Sequence, residues 1–522
     1  MENKSKQDLT VQRDSATLSV WQRNAIMPDL QQTKGFNRDQ VYDCLIVGAG
    51  ITGITTALLL QQAGLNCVIA EARSAGFGTT SGTSAHLNTF FDATYPEIES
   101  DFGHDAAKLT AQAGKEAFDI ICSFVKDLKI DCDLEFKQAW LYAENEKENK
   151  ELIQILEASK RAGLQVEIAT ESDVPVPFST VIKFEQQGQF HPLKYINGLL
   201  AEYIALGGIL LENTPIISYE PEGDSHIAKA GSVAIKANKI VYATHMPPGI
   251  NLLDLSNAPY RSYVIGLRLK DDQYPAGLAY DMQEPYHYFR THIIDGQKYL
   301  LVGGEDHKTG HGDPDKAFEN LKTYVSQYYK VESVDFEWSA QYYVPADGLP
   351  YIGQLPGHDQ DIFVATGFNG NGMMFGTLSG RIIADLILGK KNKYQQLFDP
   401  SRLKPLAGFK AFVKENADVA WHFLADRFSF ERLDELQKLK AGEGKLVKFE
   451  DKQLAVYKDA TGKITALNPT CTHAGCIVQF NHAEQSWDCP CHGGRFDISG
   501  KVLNGPPTQD LEKIIINYDL QV

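Results

Sequence analysis

A short segment near the N-terminus combines an apolar run, a glycine-rich turn and a helix-like run in an order that few folds accept. Residues 41–47 are apolar enough for a buried parallel strand. Gly48, Gly50 and Gly53 follow in the spacing G-x-G-x-x-G, which permits a tight turn, a close backbone approach to a pyrophosphate and helix–strand packing. A second apolar run ends at Glu71, whose carboxylate can bind ribose hydroxyls. The segment predicts a dinucleotide-binding βαβ unit.

Two pairs of potential metal ligands lie close together near the C-terminus. Cys471 and His473 form the first pair, and Cys489 and His492 form the second, in the pattern C-x-H-x15-C-x-x-H. Two thiolates and two imidazoles can hold a [2Fe–2S] cluster, with the thiolates on one iron and the imidazoles on the other. The same four residue types also suit tetrahedral zinc.

Two further cysteines, Cys476 and Cys491, lie in the same two loops. With them, the segment resembles the Rieske family, which implies a [2Fe–2S] cluster in preference to zinc and a disulfide between these two cysteines. High-potential members of that family carry a serine and a tyrosine that donate hydrogen bonds to cluster sulfur. This chain has Gly494 and Phe496 at those positions. Donors to sulfur stabilise the reduced cluster, so we expect a lower potential here.

Composition limits the remaining possibilities. At 522 residues the chain is long enough for two to four domains, and its 43% hydrophobic and 22% charged residues are typical of a soluble globular protein. A formal net charge of −17 argues against nucleic acid or an anionic membrane as a partner. The N-terminus lacks a hydrophobic signal core, and no apolar run is long enough for a transmembrane segment. We therefore expect a cytoplasmic protein.

The loop after Glu71 is rich in Gly, Ser and Thr and, with the stretches 188–208, 239–244 and 347–376, resembles the D-amino-acid oxidase/sarcosine oxidase (DAO-type) FAD-dependent oxidoreductases. These motifs appear in the order of that family over about residues 41–390, so the resemblance implies FAD and not NAD. It also implies a helix after the last glycine turn whose N-terminus stabilises negative charge on the reduced flavin. The residues that it implies as FAD contacts are Gly48, Gly50, Ile51, Thr52, Gly53, Glu71, Ala72, Arg73, Gly78, Thr79, Thr80, Ser81, Ala85, His86, Ile216, Ala243, Thr244, Asp347, Gly367, Asn369, Gly370, Asn371, Gly372 and Met373.

The predicted fold class is α/β, with a Rossmann-like FAD-binding fold, an α+β substrate domain built on an antiparallel sheet, and a small all-β Rieske domain. Alternating apolar and polar residues over 260–340 predict the antiparallel strands. The predicted parts are an N-terminal arm (1–40), a DAO-type unit (41–398; FAD-binding 41–91, 187–260 and 340–398, substrate domain 92–186 and 261–339), a helical connector (399–429) and the Rieske domain (430–522).

Catalytic residues are less clearly marked. The stretch 286–290 contains Tyr288 and Arg290, where an aromatic ring can enclose an ammonium group and a guanidinium can pair with a carboxylate; a half-buried strand explains the same alternation. His86, in the flavin loop, is expected to contact FAD without a covalent bond, although covalent attachment stays open. The run 303–307 (Gly-Gly-Glu-Asp-His) predicts a turn after a strand in preference to a metal site.

Flavin takes two electrons together and the cluster takes one, so the resemblance implies a two-to-one electron splitter. Family precedent favours a dehydrogenase that oxidises a small amine or amino-acid-like substrate and passes electrons to a one-electron carrier protein or a quinone-type acceptor. An oxidase would leave the cluster redundant. The alternatives are a flavoprotein reductase that exchanges electrons with a separate redox partner, against which the absence of a second, NAD-binding Rossmann motif counts, and a redox sensor without turnover.

Overall fold

The computed structural model describes residues 14–23, 35–402, 431–432, 439–449 and 452–515 of the protein. Within these residues, two large sheets and two small ones carry the fold. The predicted connector at 399–429 falls almost entirely outside the described residues. None of the helices in the described ranges is long and apolar enough to cross a membrane.

The first sheet is the nucleotide-binding layer. Its central strands run parallel in the order β17-β10-β1-β2-β7, and antiparallel strands β16, β8 and β9 extend it. Apart from Val41 and Val233 at strand ends, the apolar residues of its central strands are buried on both faces, as a parallel sheet between helices requires. Its strands are β1 (Val41–Val47), β2 (Cys67–Ala70), β7 (Ile209–Leu211), β8 (Ser218–Glu222), β9 (Ser225–Ala230), β10 (Val233–Tyr242), β16 (Tyr351–Gln354) and β17 (Ile362–Thr366).

The second sheet confirms the predicted antiparallel layer. Its order is β15-β11-β14-β13-β12-β4-β6-β3, with β5 beside β6, and within this sheet β12–β4 is the only parallel pair among the described strands. The layer extends at both ends into segments predicted as FAD-binding, because β15 continues to Pro345 and β6 to Gln189. Its strands are β3 (His86–Leu87), β4 (Glu135–Ala143), β5 (Val166–Ala169), β6 (Thr180–Gln189), β11 (Asn257–Leu269), β12 (Leu278–Asp281), β13 (His287–Ile294), β14 (Gln297–Lys308) and β15 (Val331–Pro345).

The helices cover the two sheets, and the pair α1–α8 forms the centre of the first layer. Glycines let this pair approach closely, since a Cβ at Gly376 would lie 2.8 Å from Thr52 Oγ1 and one at Gly380 would lie 2.7 Å from Thr55 Cγ2. The contacts place the first turn of α1 beside the second turn of α8, so the two helices run parallel and their N-termini lie at the same end of the pair. The helices are α1 (Ile51–Gln62), α2 (Thr79–Gly82), α3 (Tyr95–Phe102), α4 (His104–Asp127), α5 (Glu146–Ala162), α6 (Pro192–Ala205), α7 (Pro314–Ser326), α8 (Gly372–Ile387) and α9 (Gln395–Phe398).

The C-terminal part consists of two four-stranded sheets, which confirms the predicted all-β domain. Trp487 and Phe496 are fully buried in its core together with the sulfur-bearing residues of the cluster loops. Its strands are β18 (Glu431–Arg432), β19 (Glu443–Phe449), β20 (Lys452–Lys458) and β21 (Ile464–Leu467) in one sheet, and β22 (Gln479–Asn481), β23 (Ser486–Asp488), β24 (Arg495–Asp497) and β25 (Val502–Asn504) in the other.

The described part of the N-terminal arm packs against both halves of the molecule. Residues 20–22 form a short 3-10 turn, and the fully buried Trp21 donates from Nε1 to the carbonyl of Thr83 at 2.6 Å. Asp14 pairs with Arg495 of the C-terminal domain at 3.1 Å. This segment therefore ties the flavin loop and the C-terminal domain together.

Candidate flavin and cluster sites

The glycine turn after β1 has the geometry that its spacing predicts. Gly48 has a φ of 106°, and a Cβ there would lie 2.7 Å from the carbonyl oxygen of Ala243. A Cβ at Gly53 would lie only 1.9 Å from the carbonyl oxygen of Gly48, so α1 can pack here only with glycine. Gly50 precedes α1 without a side-chain cap of its own. The turn therefore brings the N-terminus of α1, the end of a helix that favours a phosphate group, to the carboxyl end of β1.

The last glycine turn supplies a second helix N-terminus beside the first. Gly370 has a φ of 77°, and Asn371 precedes α8 without a side-chain hydrogen bond to the helix. Two neighbouring helix N-termini place positive partial charge at one edge of the sheet. This arrangement fits the anionic pyrophosphate of FAD and the charge that develops on a reduced flavin.

Glu71 directly follows β2, and its side chain contacts the glycine turn after β1. Its carboxylate accepts hydrogen bonds from the backbone N–H of Ala49 at 2.8 Å and of Arg73 at 2.9 Å. Burial raises the pKa of Glu71, while these two bonds oppose the shift. A carboxylate has about four acceptor positions, so the two backbone bonds leave capacity for ribose hydroxyls. The contact with ribose stays a prediction.

Several other predicted flavin residues have polar groups that already bond to the protein. Thr79 donates to the carbonyl of Gln341 at 2.8 Å, and Thr244 donates to that of Met246 at 2.7 Å. Asp347 forms a two-point ion pair with Arg402, at 2.7 and 2.8 Å. These contacts favour a structural part for Asp347 beside the site, and its contact with FAD stays a prediction.

Two of the remaining predicted contacts, Thr80 and Ser81, lie in the flavin loop and bond to backbone groups. Thr80 Oγ1 accepts from the N–H of Ile51 at 3.2 Å, which holds the flavin loop against α1, and Ser81 donates back to Phe77 and Gly78. The other predicted FAD contacts are described by their place in the fold alone, and their contact with FAD stays a prediction. They are Thr52, Ala72, Gly78, Ala85, Ile216, Ala243, Gly367, Asn369, Gly372 and Met373.

The three predicted catalytic residues lie near one another, but Arg290 is already engaged. Its guanidinium donates to the carbonyls of Ser84 at 2.6 Å and Ala85 at 2.8 Å, and Arg290 is fully buried. The ring of His86 lies 5.3 Å from that of Tyr288, and its Nε2 is buried with no hydrogen-bond partner. Burial lowers the pKa of His86 far below its usual value, so this imidazole is neutral. The contacts favour Arg290 as a support of the flavin loop; its pairing with a substrate carboxylate stays a prediction.

Two carboxyl groups at this site were not singled out from the sequence. Asp306 accepts hydrogen bonds from the hydroxyls of Tyr342 at 2.7 Å and Tyr286 at 3.4 Å. Asp92 lies against the last glycine turn, where a Cβ at Gly370 would fall within 2.3 Å of its Oδ2. The sequence signal was the run 303–307; the prediction of a turn there was wrong, because these residues continue β14 to Lys308.

The four predicted cluster ligands converge at the ends of two loops of the C-terminal domain. The thiols of Cys471 and Cys489 are buried, free and within hydrogen-bond reach of each other. The rings of His473 and His492 lie 4.9 Å apart, and the Nδ1 atom of each is buried with no hydrogen-bond partner. Two thiols and two unpaired imidazole nitrogens are the donor set that a Rieske cluster requires. The residues therefore fit the cluster.

The disulfide between Cys476 and Cys491 is present and joins the two cluster loops. The sulfur of Cys489 lies within 4.8 Å of both of its sulfurs. A zinc site of three thiolates is excluded at this point, because two of the three sulfurs are bonded to each other.

The flavin-binding half covers the imidazole side of the cluster site. His473 Nε2 lies 3.3 Å from the carbonyl oxygen of Gly249 and 3.4 Å from Asp254 Oδ2. A carbonyl can only accept, so Nε2 carries the hydrogen and Nδ1 keeps its lone pair for metal. Burial lowers the pKa of His473, but the hydrogen bond and charge of Asp254 outweigh it and hold the pKa above its usual value. These partners orient the ligand from outside its own domain.

A second set of contacts reaches the backbone of the other cluster loop. Tyr343 donates from its hydroxyl to the carbonyl of His492 at 3.1 Å, and Gln341 Nε2 donates to that of Gly493 at 2.9 Å. A Cβ at Gly493 would lie 2.6 Å from Pro259 Cβ, so the approach depends on glycine. Strands β11 and β15 therefore hold the cluster loop directly.

Comparison with known proteins agrees with this architecture. The model of the FAD-dependent oxidoreductase (DAO) family matches residues 43–386, and that of the Rieske [2Fe–2S] domain matches residues 430–515. The chain belongs to the FAD-dependent oxidoreductase family and carries a C-terminal Rieske domain. It is an oxidoreductase whose cofactors are FAD and a [2Fe–2S] cluster.

One relative covers most of the chain, and others cover about two thirds of it. YhfW of Bacillus subtilis (strain 168), whose name gives it as a Rieske 2Fe–2S iron-sulfur protein, is 32% identical over 490 residues, 93% of this chain and 96% of that protein. Gamma-glutamylputrescine oxidoreductase of Escherichia coli (strain K12) is 24% identical over 69% of this chain and 86% of its own length. The crystal structure of glycine oxidase from Geobacillus kaustophilus shares the fold, with a TM-score of 0.59 and 20% identity over 69% of this chain and 99% of that one.

The residue at position 494 gives a test of the expected low potential. A Cβ at Gly494 would lie 3.6 Å from Cys471 Sγ and 2.7 Å from Pro507 Cδ, so a side chain fits only if Pro507 moves. We expect Gly494→Ser to raise the midpoint potential by about 60 mV, the equivalent of a hydrogen bond worth about 1.4 kcal/mol in a one-electron couple. Potentiometric titration of the cluster signal measures the change.

Gly494→Ala is the matched control, because it meets Pro507 in the same way without adding a hydroxyl. Equal shifts in both variants would assign the effect to Pro507 instead of the hydroxyl. A respiratory-type potential in the unaltered protein would contradict the low-potential expectation itself.

Proposed function

We propose that the protein is an FAD-dependent dehydrogenase that oxidises an amine or amino-acid-like substrate and passes the electrons through its Rieske cluster to an external one-electron acceptor. When bound, FAD supplies a two-electron acceptor and the cluster a one-electron carrier, so the two electrons released with two protons on oxidation of CH–NH to C=N leave one at a time. The names of the similar gamma-glutamylputrescine oxidoreductase and glycine oxidase support amine and amino-acid donors.

The observation that carries this proposal is the bridge made by Tyr343. Its carbonyl accepts from the backbone N–H of Asn369 in the last glycine turn at 3.0 Å, and its hydroxyl donates to the carbonyl of His492 at 3.1 Å. The partly buried ring of His245 lies beside it, 5.6 Å from Tyr343 and 6.1 Å from Phe368. One residue thus connects the flavin turn to a cluster ligand, which supports electron transfer within the chain.

The burial of the His473 imidazole against the flavin-binding half also supports electron transfer within the chain. The side chain of His473 is 3% exposed, and residues of the flavin-binding half contact it. A cluster whose histidine side faces a flavin domain can exchange electrons with that domain without a docking step. This favours a dehydrogenase with an internal relay over a module that serves a separate flavoprotein.

An anaerobic screen of amines and amino acids tests the proposed function. We expect at least one compound of these classes to bleach the flavin absorbance of the holoprotein in the absence of oxygen. Failure of every amine and amino acid to bleach a flavin that dithionite does reduce would contradict the proposal.

Removing the hydroxyl of Tyr343 should slow the internal relay. Tyr343→Phe leaves a buried carbonyl at His492 without its donor, a loss of about 1 kcal/mol or more. We expect cluster reduction to become slower by up to about fivefold, the factor reached when all of this energy falls on the electron-transfer step, while the rate of flavin bleaching by substrate stays the same. Stopped-flow absorbance of the two cofactors separates the rates.

Tyr457→Phe is the control, since Tyr457 donates to Gln485 within the C-terminal domain at 3.0 Å. Equal slowing in both variants would show that the effect comes from the stability of that domain and not from the bridge.

A further inference from the structure

A short turn of the flavin-binding half lies against the cluster site. Residues 252–255 form this 3-10 turn between β10 and β11, and its Asp254 was not singled out from the sequence. Asp254 Oδ2 lies 3.4 Å from His473 Nε2, and the two side chains are only 4% and 3% exposed. The contact therefore joins two buried polar groups, one from each half of the molecule.

Local hydrogen bonds fix the direction of the Asp254 carboxylate. Its Oδ2 accepts from the backbone N–H of Asn251 at 2.8 Å, and its Oδ1 accepts from the side-chain amide of the same residue at 3.2 Å. Leu253, the neighbour of Asp254, is buried in the hydrophobic core of the flavin-binding half and holds the turn there. The carboxylate therefore acts on His473 from a defined position.

His473 is the basic group that the Asp254 carboxylate faces. Among the residues that the structure describes, Asp254 forms an ion pair with His473 and with no Lys or Arg. The carbonyl oxygen of Gly249 lies 3.3 Å from the same Nε2 atom, so two oxygens of one loop face a single N–H. The charge of Asp254 is thus directed at a cluster ligand.

A carboxylate behind a ligand imidazole acts on the metal centre through that ligand. It accepts a hydrogen bond from N–H more strongly than a neutral carbonyl does, and such a partner raises the basicity of the ligating nitrogen. In His473 the ligating atom is Nδ1, which is buried with no hydrogen-bond partner. A more basic ligand and a nearby negative charge both favour the oxidised cluster, because reduction adds a further negative charge. The contact should therefore lower the potential.

The second ligand imidazole has a different environment. No carboxylate of the described ranges forms an ion pair with His492. Its loop instead meets the flavin-binding half through backbone carbonyls, where Tyr343 donates to His492 and Gln341 donates to Gly493. These donors are neutral, so in this part of the structure a direct carboxylate contact to a ligand imidazole occurs at His473.

We propose that Asp254 is a positioning residue of the electron relay, which orients the His473 imidazole from the flavin-binding half and lowers the midpoint potential of the cluster. This cause is independent of Gly494 and Phe496, which lack a hydroxyl to donate to sulfur. A lower potential makes the reduced cluster a better donor to an external acceptor. That consequence rests on the proposed function, whereas the effect on the potential does not depend on the substrate.

Asp254→Asn in the full-length holoprotein tests this role. The variant removes the charge but keeps the shape, and its amide oxygen can still accept from the backbone N–H of Asn251. We expect the reduction equilibrium of the cluster to shift about tenfold toward the reduced state, equal to about 59 mV in a one-electron couple. Titration with dithionite, followed by the EPR signal of the reduced cluster, measures the shift without any substrate. Iron content should stay normal.

Two controls separate the charge of Asp254 from other effects. Asn251→Ala loosens the turn, because it removes the amide beside Oδ1 and the acceptor of the Leu253 N–H at 2.9 Å, but it keeps the carboxylate and should not raise the potential. Glu512→Gln removes an exposed charge of the C-terminal domain and should leave the potential unchanged. A rise in either control as large as that in Asp254→Asn would overturn the inference.

The titration and the substrate screen can fail separately. An Asp254→Asn protein with the potential of the unaltered protein would overturn this inference and leave the proposed function standing. Loss of iron from this variant would also overturn it, because Asp254 would then be needed to retain the cluster and not to set its potential. A raised potential in a protein whose flavin no amine or amino acid bleaches would support the inference and contradict the proposed function.

Discussion

Cys489→Ser is expected to remove the cluster and stop the reduction of external acceptors, while substrate still bleaches the flavin. Cys489 is one of two thiols that face each other in the cluster site, and a serine hydroxyl does not replace a thiolate as an iron ligand. Loss of outer-sphere partners alone costs about 10–100-fold in metal-site function, so loss of a ligand should lower acceptor reduction by more than about 100-fold. Iron content, visible absorbance and steady-state acceptor reduction measure the result.

The control for this experiment is Cys122→Ser, which changes a half-buried free thiol on α4. It should leave iron content and acceptor reduction unchanged. A Cys489→Ser protein that lacks iron but reduces the acceptor at the normal rate would show that electrons leave the flavin by another route.

The second large effect is expected from Gly53→Ala at the nucleotide turn. The added Cβ would lie 1.9 Å from the carbonyl oxygen of Gly48, which is backbone and cannot turn away. Either α1 moves from β1 or the glycine turn distorts, and overpacking of this kind costs about 1–3 kcal/mol or more. Because the same turn approaches the pyrophosphate, we expect the purified variant to hold less than a tenth of the normal FAD, measured by flavin released on denaturation.

Gly64→Ala tests whether any alanine in this unit has the same effect. Gly64 follows α1 with a φ of 89° and has open space around its Cβ position, so only the cost of a left-handed residue, about 1 kcal/mol, applies. This variant should keep its FAD with a lowered melting temperature. Similar FAD loss in both variants would mean that stability, and not the turn, controls flavin content.

The features that could be predicted from the sequence are those whose cause is local. The three glycines of the first turn and the spacing of the cluster ligands depend on residues within one short segment. The alternation over 260–340 correctly predicted an antiparallel sheet, because period-two burial arises within each strand. The prediction of a turn at 303–307 was wrong because a pair of glycines commonly ends a strand. Here Gly303 continues β14 and makes room for the ring of Tyr288 on the neighbouring strand β13.

The features that escaped prediction join residues far apart in the chain. Tyr343 meets His492 across 149 positions, and Gly249 meets His473 across 224. Asp92 follows β3, the first strand of the second sheet along the chain, and Asp306 lies near the end of β14. Only the folded sheet brings these two carboxyl groups near each other. Arg290 was identifiable as a buried strand residue, but the carbonyls of Ser84 and Ala85 that engage it lie about 200 positions earlier.

The central claim is that electrons pass from the flavin to the cluster within one chain. The most direct test mixes the oxidised holoprotein anaerobically with a substrate found by the amine and amino-acid screen, without any acceptor, and freezes samples over time. We predict that flavin absorbance falls first and that the EPR signal of the reduced cluster then grows. A flavin that bleaches while the cluster stays oxidised throughout would contradict the account.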